Sequence, residues 1–249
     1  MILEPGYEND KVGKFDDISG IAPLQTVLFD IDGTLCHSES LHYLALKELL
    51  PTIGFNNGIP FTKEFYVKNF SGKHNSEIEV SLFSKDHDDA FKLKFGDDLF
   101  EIFKRLAVEQ LEPVKGLNKM CEWIKKRGYK RAAVTNCPRK NAEFILKTLG
   151  LTDFFDVLVI GNECENPKPF PDPYLKALQL LGESAAHAFV FEDSVCGIKS
   201  GVAAGMPVIG LTTSNKDQKS LLEAKPAFLI KDYEDPKLWT ALEQLDNLA

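Results

Sequence analysis

Six short stretches, residues 24–29, 131–135, 157–160, 189–192, 208–211 and 228–230, are rich in Val, Ile, Leu, Phe and Ala and bounded by Gly, Pro, Asn or Asp. Each is too short for a buried helix and reads as a buried strand. Between them lie segments of helical spacing, at about 116–126, from Pro138 to near Gly150, at 174–181 and after Ser194. Short buried strands alternating with helices predict an α/β fold, a Rossmann-like open parallel sheet with helices on both faces. Gly197, Gly201 and Gly205 recur every four residues, which suggests a flat, close-packed face on the helix after Ser194.

One long segment breaks the alternation. From about residue 39 to 112 no strand-like run appears, and Leu41, Leu44, Ala45, Leu49 and Leu50 recur at helical spacing. Thr62 can cap a short helix, Ser76 with Glu79 has the form of a capping box, and a further helix is expected over 88–110. An all-helical stretch bracketed by strand–helix units is the signature of an inserted module. The expected organisation is a loose tail over 1–22, an α/β core built from 23–37 and 113–249, and a helical insertion over 38–112.

In an open parallel sheet a ligand site lies beyond the carboxyl ends of the strands. The first strand runs into Asp30-Ile31-Asp32-Gly33-Thr34, the second ends in Thr135-Asn136, and the fourth ends in Glu192-Asp193. Lys168 lies in the Pro-rich loop after the third strand. Two carboxylates at a spacing like that of Asp30 and Asp32, about 4 Å apart, repel by roughly 4 kcal/mol at an effective dielectric near 20. Such a pair calls for a bound cation, a shared proton, or both. The alternative is a pair of solvated loop aspartates. Asp30, Asp32, Glu192 and Asp193 carry four negative charges and a phosphate dianion would bring two more, whereas Lys168 and one divalent cation return three. A protonated Asp32 relieves one further charge and suits a general acid. The Thr135 hydroxyl, backbone N–H groups near Ile31 and Asn136, and the helix opening at Pro138 offer donors to phosphate oxygens. Hard oxygen ligands beside a phosphate point to Mg2+ rather than zinc.

Composition narrows the partners. A net charge of −8 over 249 residues argues against a non-specific nucleic-acid or anionic-membrane surface. The five cysteines show no CxxC pair and read as free thiols of a reducing compartment. No apolar run is long enough to span a bilayer, and residues 1–20 hold no apolar stretch like that of a signal peptide. A cytoplasmic monomer acting on a small phosphorylated metabolite is expected.

The four motifs, Asp30-Ile31-Asp32-Gly33-Thr34, Thr135-Asn136, Lys168-Pro169 and Glu192-Asp193, stand in the order of the haloacid dehalogenase (HAD) superfamily, which the chain resembles from about Leu24 onwards. The resemblance implies that Asp30 attacks phosphorus to form an aspartyl-phosphate. Asp32 then serves as general acid and base, and Thr135 and Lys168 hold the phosphate. It also implies Mg2+ bound by Asp30, the backbone carbonyl of Asp32, and Asp193, with Glu192 a ligand or one shell out. The insertion is similar to this superfamily's small all-helical cap domain. Within the superfamily the chain looks like sugar-phosphate phosphatases and β-phosphoglucomutases, and 72–77 and 131–136 are similar to a plant phosphatase of small sugar phosphates. His42 matches a histidine of the cap hinge that helps hold Asp32, and Asn136, Lys73 and His74 are further candidates for substrate contact. Ser71 and Asn75 stand where the mutases carry a lysine and an arginine for a second phosphate, which favours the phosphatase over the mutase. His37 replaces a frequent acidic residue. Outside the family, a phospho-receiver module shares aspartyl-phosphate chemistry, but it has its acidic pair before the phosphorylated aspartate and no cap. A silent binding protein on the same fold is the remaining alternative.

Overall fold

The computed structural model describes residues 17–21, 23–70, 88–213 and 217–248. The expected capping box at Ser76 and Glu79, and the candidates Ser71, Lys73, His74 and Asn75, lie outside them.

Six parallel strands form one sheet in the order β3-β2-β1-β4-β5-β6: β1 (Thr26–Phe29), β2 (Lys130–Thr135), β3 (Val157–Ile160), β4 (Ala188–Glu192), β5 (Val208–Leu211) and β6 (Phe228–Ile230). The winding direction reverses at β1, which pairs with β2 on one side and β4 on the other. Phe29 is registered with Ala133 and Phe191, so the chain leaves all three central strands close together. This is the crevice where such sheets bind ligands.

Side chains alternate across the sheet and build a core on each face. Val27, Phe29, Phe189 and Phe191 meet α4 (Leu117–Arg127), α5 (Arg139–Thr148) and α9 (Pro236–Leu248). Leu28, Val134 and Val190 meet α6 (Asp172–Leu181), α7 (Val195–Ala203) and α8 (Gln218–Glu223). The expected glycine face is divided. Gly201 packs on β5, where a Cβ would fall 2.7 Å from the Val208 side chain, but Gly205 lies beyond the helix, with a φ of 83° that reverses the chain. Residues 17–21 also depart from the expected loose tail. Ile18 and Ile21 sit three apart across a short 3-10 turn, and both are buried in the core.

The insertion contributes α1 (Glu39–Thr52), α2 (Lys63–Asn69) and α3 (Asp89–Gln110), with its own cluster of Leu46, Leu49, Leu50, Phe61, Tyr66, Phe70 and Phe95. Thr62 and Asp88 cap α2 and α3 by accepting from Phe65 N and Phe91 N. The two linkers to the core run side by side. Cys36 bridges Pro113, His37 N donates to the Glu112 carbonyl, and Val114 N donates to the Leu35 carbonyl, both at 2.9 Å. Among the described residues no helix is long and apolar enough to cross a membrane.

Candidate active site

The strand ends bring the expected core residues together. Asp30 follows β1, and its N–H extends the pairing by donating to the Phe191 carbonyl at 3.0 Å. Its carboxylate is buried and accepts from Lys168 Nζ at 2.7 Å. Lys168 also donates to the Val134 carbonyl and to Glu192 Oε1, each at 2.7 Å. These three bonds engage every proton an ammonium has. In this arrangement the ammonium bridges two buried carboxylates and ties them to β2. Its Nζ lies over the Tyr174 ring, 5.0 Å from the ring centre.

Glu192 is wholly buried, and its oxygens are heavily engaged. Oε1 accepts from Lys168 and the Tyr174 hydroxyl, and Oε2 accepts from Asp193 N, Ser194 N and Ser194 Oγ. A Cβ on Gly197 would overlap this carboxylate, so that glycine makes room for an anion rather than for a neighbouring helix. Asp193, also buried, completes a group with Asp30 and Glu192 in which one oxygen of each lies within 4.8 Å of the others. Three carboxylates facing one ammonium leave negative charge to be balanced. An all-oxygen donor set fits a hard divalent cation such as Mg2+.

Burial pushes the Asp30 carboxyl up to about 7; the Lys168 charge opposes this, and Glu192 and Asp32 add to it. Burial alone would lower Lys168, but the charges of Asp30 and Glu192 overcome it and hold the ammonium well above the usual lysine range. Within this pair the lysine keeps its proton and Asp30 yields. Asp32 behaves oppositely. Burial again pushes it up, but the His42 hydrogen bond and charge, helped by Ser38 and Cys137, bring it below the ordinary value.

Asp32 turns away from the three carboxylates towards α1. Ser38 Oγ donates to its Oδ1 at 2.6 Å, and His42 Nε2 lies 3.0 Å from the same oxygen. The imidazole stacks on Phe103 of α3 with ring centres 4.4 Å apart, so both long helices of the insertion fix it. Gly33, at a φ of 79°, makes the turn between Asp32 and Thr34. Thr135 is buried at the end of β2, and its Oγ1 accepts from Cys137 N at 3.0 Å.

Asn136 stands at the end of β2 beside Thr135. Its Nδ2 donates to the Lys168 carbonyl at 3.0 Å and its Oδ1 accepts from Lys168 N at 3.1 Å, so both ends of the amide hold the lysine loop. Ser38 was missed by sequence reasoning; it stands at the N-cap position of α1, four residues before His42. Tyr174 carried no sequence signal. Cys137 also lies against Asp32, and burial and that charge push its thiol well up. All five cysteines are free.

Residues 27–211 match the family described as haloacid dehalogenase-like hydrolase. The chain is 29% identical over 212 residues to a phosphorylated carbohydrates phosphatase of Thermotoga maritima, covering 85% of this chain and 96% of that protein. It is 30% identical over 222 residues to pyrophosphatase PpaX of Bacillus cereus, covering 85% and 94%. Its fold is similar to that of β-phosphoglucomutase from Clostridium difficile, with a TM-score of 0.72, 19% identity, and coverage of 90% of this chain and 98% of that one.

Proposed function

Because the chain belongs to the haloacid dehalogenase-like hydrolases, we propose that it is a Mg2+-dependent phosphomonoesterase that hydrolyses small phosphorylated metabolites, sugar phosphates foremost, through an aspartyl-phosphate. The observation that carries this reading is the buried Asp30–Lys168–Glu192 cluster at the ends of β1 and β4, with Lys168 reaching in from the loop before α6 and Asp193 beside it.

Asp30 is the nucleophile. With Oδ1 fixed by Lys168, it attacks phosphorus with a carboxylate oxygen held in one place. As the bond to the sugar oxygen breaks, that oxygen takes a proton from Asp32. Asp32 takes up this proton as the phosphate dianion arrives and raises its affinity for it, held in place by Ser38 and by His42, whose Nε2 lies 3.0 Å from its Oδ1. In the second half, Asp32 accepts a proton from water, the water oxygen attacks phosphorus, and the phosphorus–Asp30 bond breaks to free phosphate. Thr135 Oγ and the first N–H groups of α5 donate to the phosphate oxygens. Mg2+, held by Asp30, Asp193 and the Asp32 carbonyl with Glu192 alongside, would neutralise the charge gathered there. The similarity to a phosphorylated carbohydrates phosphatase supports the sugar-phosphate class.

The test is phosphate release from a panel of sugar phosphates, with Mg2+ and with EDTA, using wild type and Asp30→Asn. Mg2+-dependent release that vanishes in the variant is expected. Isomerisation of hexose phosphates with a bisphosphate primer, in place of release, would move the assignment to a mutase.

A further inference from the structure

Tyr233 lies on the short connection between β6 and α9, far in sequence from every motif, yet it touches the turn after Asp32, the returning linker and the residues that precede Asp30 and Glu192. Its side chain is wholly buried. Its hydroxyl donates to the Thr34 carbonyl at 3.0 Å, at the point where the chain leaves the turn after Asp32 and starts the outgoing linker. Its backbone N–H donates to the Lys115 carbonyl at 3.0 Å, where the returning linker re-enters the core. Its ring packs against Phe29 and Phe191, with centres 6.4 and 5.1 Å away, and these residues immediately precede Asp30 and Glu192.

Two further features hold Tyr233 itself. Trp239 Nε1 donates to its carbonyl at 2.8 Å. Gly116, at a φ of 79°, lets the returning linker come close: a Cβ there would fall 2.8 Å from Tyr233 C and 2.9 Å from Glu234 N. Thr213 adds a second grip on the same turn by donating to the Gly33 carbonyl.

We propose that Tyr233 is a positioning residue that pins both linkers at their core ends. Motion of the helical insertion is then confined to the short paired segment beyond the pins, Leu35–His37 against Glu112–Val114, and Asp30 and Glu192 do not move with it. This rests on the phosphatase reading for its catalytic consequence but not for its structural one. Without the pin, a swing of the insertion reaches back into the Asp32–Thr34 turn, and the reacting groups lose their fixed separation.

The test is Tyr233→Phe in the full chain, which removes the hydroxyl and keeps the ring. Amide hydrogen exchange at His37 and Val114, the donors that join the linkers, should quicken about tenfold, the factor expected for loss of one buried hydrogen bond, while β1 and β4 amides stay as in wild type. For a sugar phosphate, kcat should fall about tenfold with KM changed less than about twofold. Unchanged exchange at both linkers overturns the proposal whether or not the protein releases phosphate. Exchange quickened equally through the whole core also overturns it, because Tyr233 is then only a packing residue. A wild type that releases no phosphate, with linker exchange still quickened in the variant, overturns the function and leaves the pin standing. If Tyr233→Phe does not fold, Trp239→Phe, which removes the donor to the Tyr233 carbonyl and trims the ring packed on Trp123, should give the same linker-confined pattern at about threefold. No change there refutes the pin.

Discussion

Replacing Asp30, the proposed nucleophile, should make the fold more stable. Burial lifts the Asp30 carboxyl from 3.8 to about 7, so the folded chain resists its ionisation far more than the unfolded chain does. A group whose folded pKa is raised contributes stability below its unfolded value and loses it as pH rises through the folded value. At 1.36 kcal/mol per pH unit, the loss between pH 4 and pH 8 is about 4 kcal/mol. Asp30→Asn removes this cost. An asparagine oxygen can still accept from Lys168, but the ammonium keeps only Glu192 as a charged partner, which cancels part of the gain. A net stabilisation of about 2 kcal/mol at pH 8 is expected, or about 4–8 °C in Tm for a chain of this size. Near pH 4 the two proteins should differ little. The assay is thermal and urea unfolding of both proteins in EDTA at several pH values from 4 to 8, beside phosphate release to confirm that turnover is lost. A variant less stable than wild type at pH 8, or one whose stability follows pH with an unchanged slope, refutes the argument that charge burial dominates at Asp30.

Three other outcomes follow from the site. Gly197→Ala drives a methyl into the Glu192 carboxylate and should cost about 3 kcal/mol or more, read from the urea midpoint, with turnover falling in the surviving folded protein. Asp32→Asn should lower kcat by about 10²–10⁴-fold, measured by phosphate release at saturating substrate, while a near-normal rate would assign the proton to another group. Mg2+ at a hundred times its dissociation constant should stabilise the wild type by about 2.7 kcal/mol against EDTA at pH 8, and Asp193→Asn should abolish most of that shift in a thermal melt.

Local pattern determined a large part of this protein. Alternation of apolar runs with helical segments was enough for the parallel sheet, because burying a two-faced strand requires a helix on each side. Thr62, Asp88 and Ser194 marked helix starts, because a cap bonds only to an N–H two or three residues away. The acidic and polar strand ends were legible as one site, because a parallel sheet places all its strand ends on one edge. Tertiary structure decided what those residues bond to. Lys168 meets Asp30 across 138 positions and the Val134 carbonyl across 34, and Tyr233 reaches Thr34 across 199. Asn136 closes on the lysine loop, and Asp32 turns to Ser38 and His42 on the insertion. Nothing within a few residues of these side chains sets their partners. Their pairing follows from how the sheet, its loops and the insertion pack, and from the cost of leaving any buried charge or carbonyl alone.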